Sequence, residues 1–221
     1  VVQQQKTTRR FSIWEQVKNQ FKQLSMSFWL LSFAVFLMVN FISKSMGFNN
    51  YDLSANLYQP IVLLLPAYLL LALFYTFRSW NREMRAIETA TPFPPALLLL
   101  IRMMLVFIVF IVFSFISTFY VVHGQSTPTE STRLILNWLA PSILVFSTVA
   151  FCMYYKGVVI GMIVALIDWL MYLGLPFLLN VIGFSIYTPM FFIQIALCIL
   201  GVCLFGMVLI KSRSRFDLFI R

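Results

Sequence analysis

Residues 61–74 read IVLLLPAYLLLALF, a run with no charged side chain and a single hydroxyl, that of Tyr68. It is too uniformly apolar for a surface helix, which needs a polar face, and it lacks the in-out alternation of a barrel strand. With its flanks it extends over Pro60–Phe77, close to the roughly 20 residues a helix needs to cross about 30 Å of hydrocarbon. Inside lipid every backbone N–H and C=O must be satisfied within the segment or by a closed barrel, so this run is expected to be a spanning helix.

Five further runs have the same character: Met26–Ile42, Met103–Val122 (preceded by apolar residues from about 97), Ile135–Tyr155, Val158–Ile182 and Met190–Ile210. The fifth is long enough to tilt or to break near Pro176. Composition agrees across all 221 residues: 61% are hydrophobic, only 10% are charged and the mean hydropathy is +0.90. A soluble domain is about half apolar and about a quarter charged, so this chain cannot build a polar shell. The 17% aromatic content also excludes disorder. The fold class expected is an all-α polytopic membrane protein with six transmembrane helices, spanning about 26–42, 60–77, 97–122, 135–155, 158–182 and 190–210.

The formal charge of +9 could suggest nucleic acid, but Lys and Arg collect in cytoplasmic loops of membrane proteins. Of the 16 basic residues, all but Lys44 and Arg133 fall on one side of an alternating six-span chain. That side is expected to be cytoplasmic and to hold both termini. No nucleic-acid partner is expected, and membrane lipids are the surroundings. No cleavable signal segment is expected either, because the N-terminus is polar and basic and apolar sequence starts only near residue 24. The chain then divides into a cytoplasmic N-terminal segment 1–25, a six-span domain 26–210 and a basic cytoplasmic tail 211–221. The setting expected is a cell membrane, multi-pass, of bacterial plasma-membrane type.

Two segments outside the spans carry pattern. In Arg10–Met26, Phe11, Trp14, Val17, Phe21 and Leu24 recur at spacings of three and four, while Lys18 and Lys22 take the opposite face. This predicts an amphipathic helix lying in the membrane interface. Residues 79–90 predict a short charged helix, ended at Thr91-Pro92 because the residue before proline leaves the α region. Pro94-Pro95 then starts the third span.

Few groups inside the spans carry chemistry. Asp168, in ALIDWLMY, is a carboxylate near the middle of span five. It should face the bundle interior, either contacting substrate or protons in a pathway or fixing packing. Asn40, Asn137, Asn180 and Gln194 are weaker candidates near span ends. Gly157 and Gly161 form a G-x-x-x-G that permits close helix packing, within the chain or between copies. Arg102 should snorkel to the headgroups or pair with Glu83 or Glu88. The one histidine, His123, and the three cysteines lack metal-ligand spacing, and no metal site is expected. No catalytic residues are expected. Gly183-Phe184-Ser185 has no later histidine to serve as its base, Asp168 is alone in its span, and no G-x-x-x-x-G-K-[ST] run occurs.

Residues 81–102, NREMRAIETATPFPPALLLLIR, resemble the cytoplasmic loop of type-2 ABC transporter permeases. There an acidic helix of the pattern R-E…E…T-P leads into the third span and ends in a basic residue. Arg82-Glu83, Glu88, Thr91-Pro92 and Arg102 match that pattern, whereas Met84-Arg85-Ala86-Ile87 replace the usual Gly and Leu. The resemblance implies that Arg82, Glu83, Glu88, Thr91 and Pro92 couple the chain to an ABC ATPase subunit. ATP and Mg would then sit on that partner, with no cofactor in this chain. It also implies a dimer with a second permease copy or a paralogue. The implied function is the membrane subunit of an ABC exporter moving an amphipathic peptide, lipid or drug. The same stretch also resembles small membrane proteins associated with anti-sigma factors, which gives the alternative of a non-transporting anchor or regulator. A channel or secondary transporter is disfavoured by the shortage of polar residues in the spans and by the lack of internal repeats.

Overall fold

The computed structural model describes residues 26–45, 60–78, 95–122, 128–181 and 187–220, with residues 18, 21, 22 and 24 before them. They form six helices and, among the described residues, no strand: α1 Met26–Ser45, α2 Pro60–Arg78, α3 Pro95–Val122, α4 Pro128–Tyr155, α5 Val158–Val181 and α6 Tyr187–Ile220. All six are long and apolar enough to cross a bilayer. Three of them begin on proline, whose missing N–H is no loss in the first turn of a helix. The expected bounds shift at two places. α4 starts at Pro128, before its apolar run, and α6 continues to Ile220 instead of giving way to a tail at 211. Pro66, Pro141 and Pro176 all lie inside helices, so α5 runs through Pro176 without ending there.

Side-chain pairings fix the direction of each helix. Phe28 stacks on Tyr75 and Phe36 meets Tyr68 edge-on, so one number rises as the other falls and α1 and α2 are antiparallel. Between α1 and α3 the separation is nearly constant, 77 residues for Asn40–Ser117 and 76 for Lys44–Tyr120, which makes them parallel. The α4–α6 pair is parallel too, with a separation of 57 both at Asn137–Gln194 and at Tyr154–Lys211. The directions alternate through the bundle, and the start of α1 and the end of α6 therefore lie at the same end.

α4 is the central element. In its spanning window 72% of the residues are buried, against 17% in α5 and in α6. It packs most extensively on α6, then on α5 and α2. Between helices in lipid, dispersion and ring packing must replace the hydrophobic effect. A relay of rings runs across the bundle: Phe36 on Phe113 at 4.9 Å, Phe107 on Phe146 at 4.2 Å, and Phe146 on Phe205 at 5.3 Å. Hydroxyls within the spans bond back to their own helices, as in Ser32 to the Phe28 carbonyl at 2.7 Å and Thr118 to the Ser114 carbonyl at 2.8 Å. Of the N-terminal stripe, Leu24 is buried and the Phe21 ring lies 4.9 Å from Trp29. The rest of Arg10–Met26, up to residue 25, is outside the described residues apart from Lys18 and Lys22.

Candidate functional site: a polar layer across α4, α5 and α6

Pro141 has no N–H, so the carbonyl four residues earlier in α4, that of Asn137, loses its helical partner. The Tyr172 hydroxyl of α5 donates to that carbonyl at 3.0 Å. Gln194 of α6 completes the layer, its Nε2 donating to the Asn137 side-chain oxygen and, at 3.2 Å, to the Tyr172 hydroxyl. The three residues are 4%, 2% and 3% exposed, so the layer is sealed inside three helices. It is not fully satisfied. Asn137 Nδ2 is buried and makes no hydrogen bond. In a medium without water, unpartnered donors are the groups that would bind an incoming acceptor.

Asp168 lies one turn before Tyr172 on α5. Gly161, Ala165 and Tyr172 are buried, and Asp168 and Leu175 are half-buried. At spacings of four, three, four and three, they form the seam of α5 that meets α4. Asp168 thus lies on the bundle-facing side of α5 rather than on its open flank. Among the described residues it makes no hydrogen bond and no ion pair. The structure joins Tyr172, one turn from Asp168 on α5, to Asn137 and Gln194; the sequence marks Asn137 and Gln194 only weakly and Tyr172 not at all. The signal for Tyr172 was indirect: a proline inside a span demands a donor for the carbonyl four residues back.

The two glycines have different work. Gly157 is outside the helices, in the two-residue link from α4 to α5, at φ 102°. Its N–H and that of Lys156 both donate to the Cys152 carbonyl, at 3.0 and 2.7 Å, which ends α4 through a left-handed glycine. Gly161 is in α5, where a Cβ would lie 3.1 Å from the Val149 carbonyl oxygen and 3.3 Å from Cys152 Cβ. Gly161 therefore serves close packing within the α4–α5 hairpin.

Arg82, Glu83, Glu88, Thr91 and Pro92 lie outside the described residues, as do Asn180's side chain, His123 and Ser185. Arg102 is described and is only 3% exposed. A guanidinium so buried must be compensated where it stands. Among the described residues no cluster of three or more His, Cys, Asp or Glu could hold a metal. Comparison with protein-family models, with curated proteins and with solved structures gives no match.

Proposed function

We propose that this chain is the membrane subunit of an ABC-type exporter, moving an amphipathic substrate with energy from ATP hydrolysed by a separate ATPase. The observation that carries the reading is Asp168, a carboxylate half-buried on the α4-facing seam with no partner among the described residues. It stands one turn from the incompletely satisfied layer of Asn137, Tyr172 and Gln194. A carboxylate in mid-span costs about 2.5–3.5 kcal/mol on insertion scales. A passive anchor gains nothing from that cost, whereas a pathway lined by donors and one acid uses it to handle polar parts of a substrate.

The energy source is supported by the likeness of residues 81–102 to the permease loop. The 28-residue α3 that follows is a rigid rod able to carry a push from residues 82–92 into the bundle. The orientation, with both termini cytoplasmic in a plasma membrane, rests on the placement of Lys and Arg. Function in a dimer, with a second copy or a paralogue, belongs to the same reading.

Reversal of Glu83 and Glu88 to Lys tests it. The two are about 140° apart on a helix, so both faces of the loop helix change sign. Insertion should persist, because positive charge on that side only increases. The expected result is loss of the copurifying ATPase and of substrate-stimulated hydrolysis. An ATPase that stays bound and stimulated in the double variant refutes the coupling role. Copurification of a soluble regulator without any ATPase would favour the anchor instead.

A further inference from the structure

A groove of about 660 Å³ opens on the outer surface of the bundle between the last turns of α1 and α3. From Leu37 to Ser45 it extends over eight helical steps, about 12 Å along α1 at 1.5 Å per residue. Its walls are Leu37 and Phe41 from α1 and Ile116 and Tyr120 from α3, all four exposed. Its floor is fixed: Asn40 Nδ2 donates to Ser117 Oγ at 2.8 Å and to its own helix at the Phe36 carbonyl, also at 2.8 Å. At the end of the helices the groove turns polar. Lys44 Nζ donates to the Tyr120 hydroxyl at 3.2 Å and rests 4.6 Å from the centre of its ring.

An ammonium has three donors, and the Tyr120 hydroxyl takes one. Among the described residues Lys44 has no carboxylate beside it. The site thus combines an apolar trough with a cation that has no carboxylate partner among the described residues, at the ends of two spanning helices and next to a tyrosine of the kind that lines the interface. A neutral lipid would leave the cation without a counter-charge. A water-soluble anion would leave the trough unfilled. A second copy of the chain would press Lys44 against an apolar face.

We propose that the α1–α3 groove binds a phospholipid with an anionic headgroup, its phosphate against the Lys44 ammonium and an acyl chain along Leu37, Phe41 and Ile116. The proposal goes beyond the transport reading and rests only on the groove.

The full chain in detergent–lipid micelles would be exposed to photoactivatable phosphatidylglycerol or phosphatidylcholine with matched chains, and the labelled positions mapped by mass spectrometry. Phosphatidylglycerol should label the last turns of α1 and α3 more strongly than phosphatidylcholine does. Lys44→Gln should reduce that labelling about fivefold, the equivalent of about 1 kcal/mol for one basic residue at an anionic surface. Lys44→Arg should retain it, and Ile116→Trp, which fills the trough, should lower labelling by both lipids. Labelling at the opposite end of the bundle, near Arg102, Lys156 and Lys211, serves as internal reference for folding and should not change. Equal labelling of the groove by both lipids, or undiminished phosphatidylglycerol labelling in Lys44→Gln, overturns the proposal. So does a dimer in which a second copy shields the groove from both.

Discussion

Removing the Tyr172 hydroxyl tests whether Pro141 created the need for it. In Tyr172→Phe the Asn137 carbonyl, already without its i+4 helical donor because residue 141 is proline, loses the donor that Tyr172 supplies, and the Gln194 amide loses the Tyr172 acceptor. A buried acceptor left unpaired costs about 1–3 kcal/mol. Hydrogen bonds measured inside membrane proteins average nearer 0.6, with a maximum of about 1.7 kcal/mol, because the unfolded state in lipid also finds partners. The expected loss is therefore about 1–2 kcal/mol. In a Pro141→Ala background the new N–H can donate to the Asn137 carbonyl along the helix. Tyr172→Phe should then cost only the contact with Gln194, about 0.6 kcal/mol.

The difference between the two backgrounds is the informative quantity, since general damage to packing would appear equally in both. Equilibrium unfolding of the four proteins in mixed micelles, read by loss of helix circular dichroism, gives the double-mutant cycle. The coupling should be about 0.5–1 kcal/mol, with the hydroxyl mattering less once the proline is gone. An equal cost of Tyr172→Phe in both backgrounds would refute the reasoning and leave the 3.0 Å contact incidental.

Other expectations follow from single sites. Gly157→Ala should lose about 1–2 kcal/mol, because its φ of 102° is unfavourable for a residue with Cβ; nothing lies within 4 Å to clash, so Gly157→Asn should lose less, and the same unfolding assay ranks the two. Gly161→Leu should lose about 1–3 kcal/mol by overpacking, because the Val149 carbonyl oxygen 3.1 Å away is backbone and cannot rotate aside; stability unchanged in that variant would show that α4 and α5 are not in close contact. Asp168→Asn should insert and fold at least as well as the native chain, yet, on the exporter proposal, abolish substrate-stimulated hydrolysis by the proposed ATPase partner. Unaltered stimulation across the neutral pH range would remove Asp168 from any pathway.

The spans were readable because hydrophobicity alone decides what enters a bilayer, and Pro60–Phe77 or Met103–Val122 admit no other solution. Helix ends were less readable, since a helix does not stop where its apolar residues stop. No glycine or proline follows Ile210, so α6 keeps its hydrogen-bond ladder through Lys211, Arg213 and Arg215 to Ile220. Likewise Pro128 sets the start of α4 well before the apolar run begins. Asp168 was visible as a charge in mid-span, and its placement toward α4 follows from the seam it shares with Gly161 and Ala165. The layer around it was hidden because Asn137, Tyr172 and Gln194 are joined across separations of 35, 57 and 22 residues, which no local pattern encodes.

Some of the polar bonds between helices join neighbours that the connections of the chain hold poorly. Antiparallel neighbours such as α4 and α5 are tied by the two residues between them, and that short link restricts their register. Parallel neighbours have a whole helix between them in sequence, so no short link fixes how far one slides along the other, and lipid tails are as apolar as the leucines they would displace. Two parallel pairs carry an amide at that point: Asn40 reaches Ser117 between α1 and α3, and Gln194 reaches Asn137 between α4 and α6. A hydrogen bond is directional and fails within a fraction of a helical turn, so it specifies register where dispersion between smooth aliphatic faces does not. The second lock uses the side-chain oxygen of Asn137, the residue whose main-chain carbonyl Pro141 frees and Tyr172 takes up, and Tyr172 lies one turn from Asp168. Register in α4–α6 and the layer beside the proposed chemistry therefore depend on the same few atoms, and movement of α6 along α4 would break the Gln194 bonds to Asn137 and Tyr172.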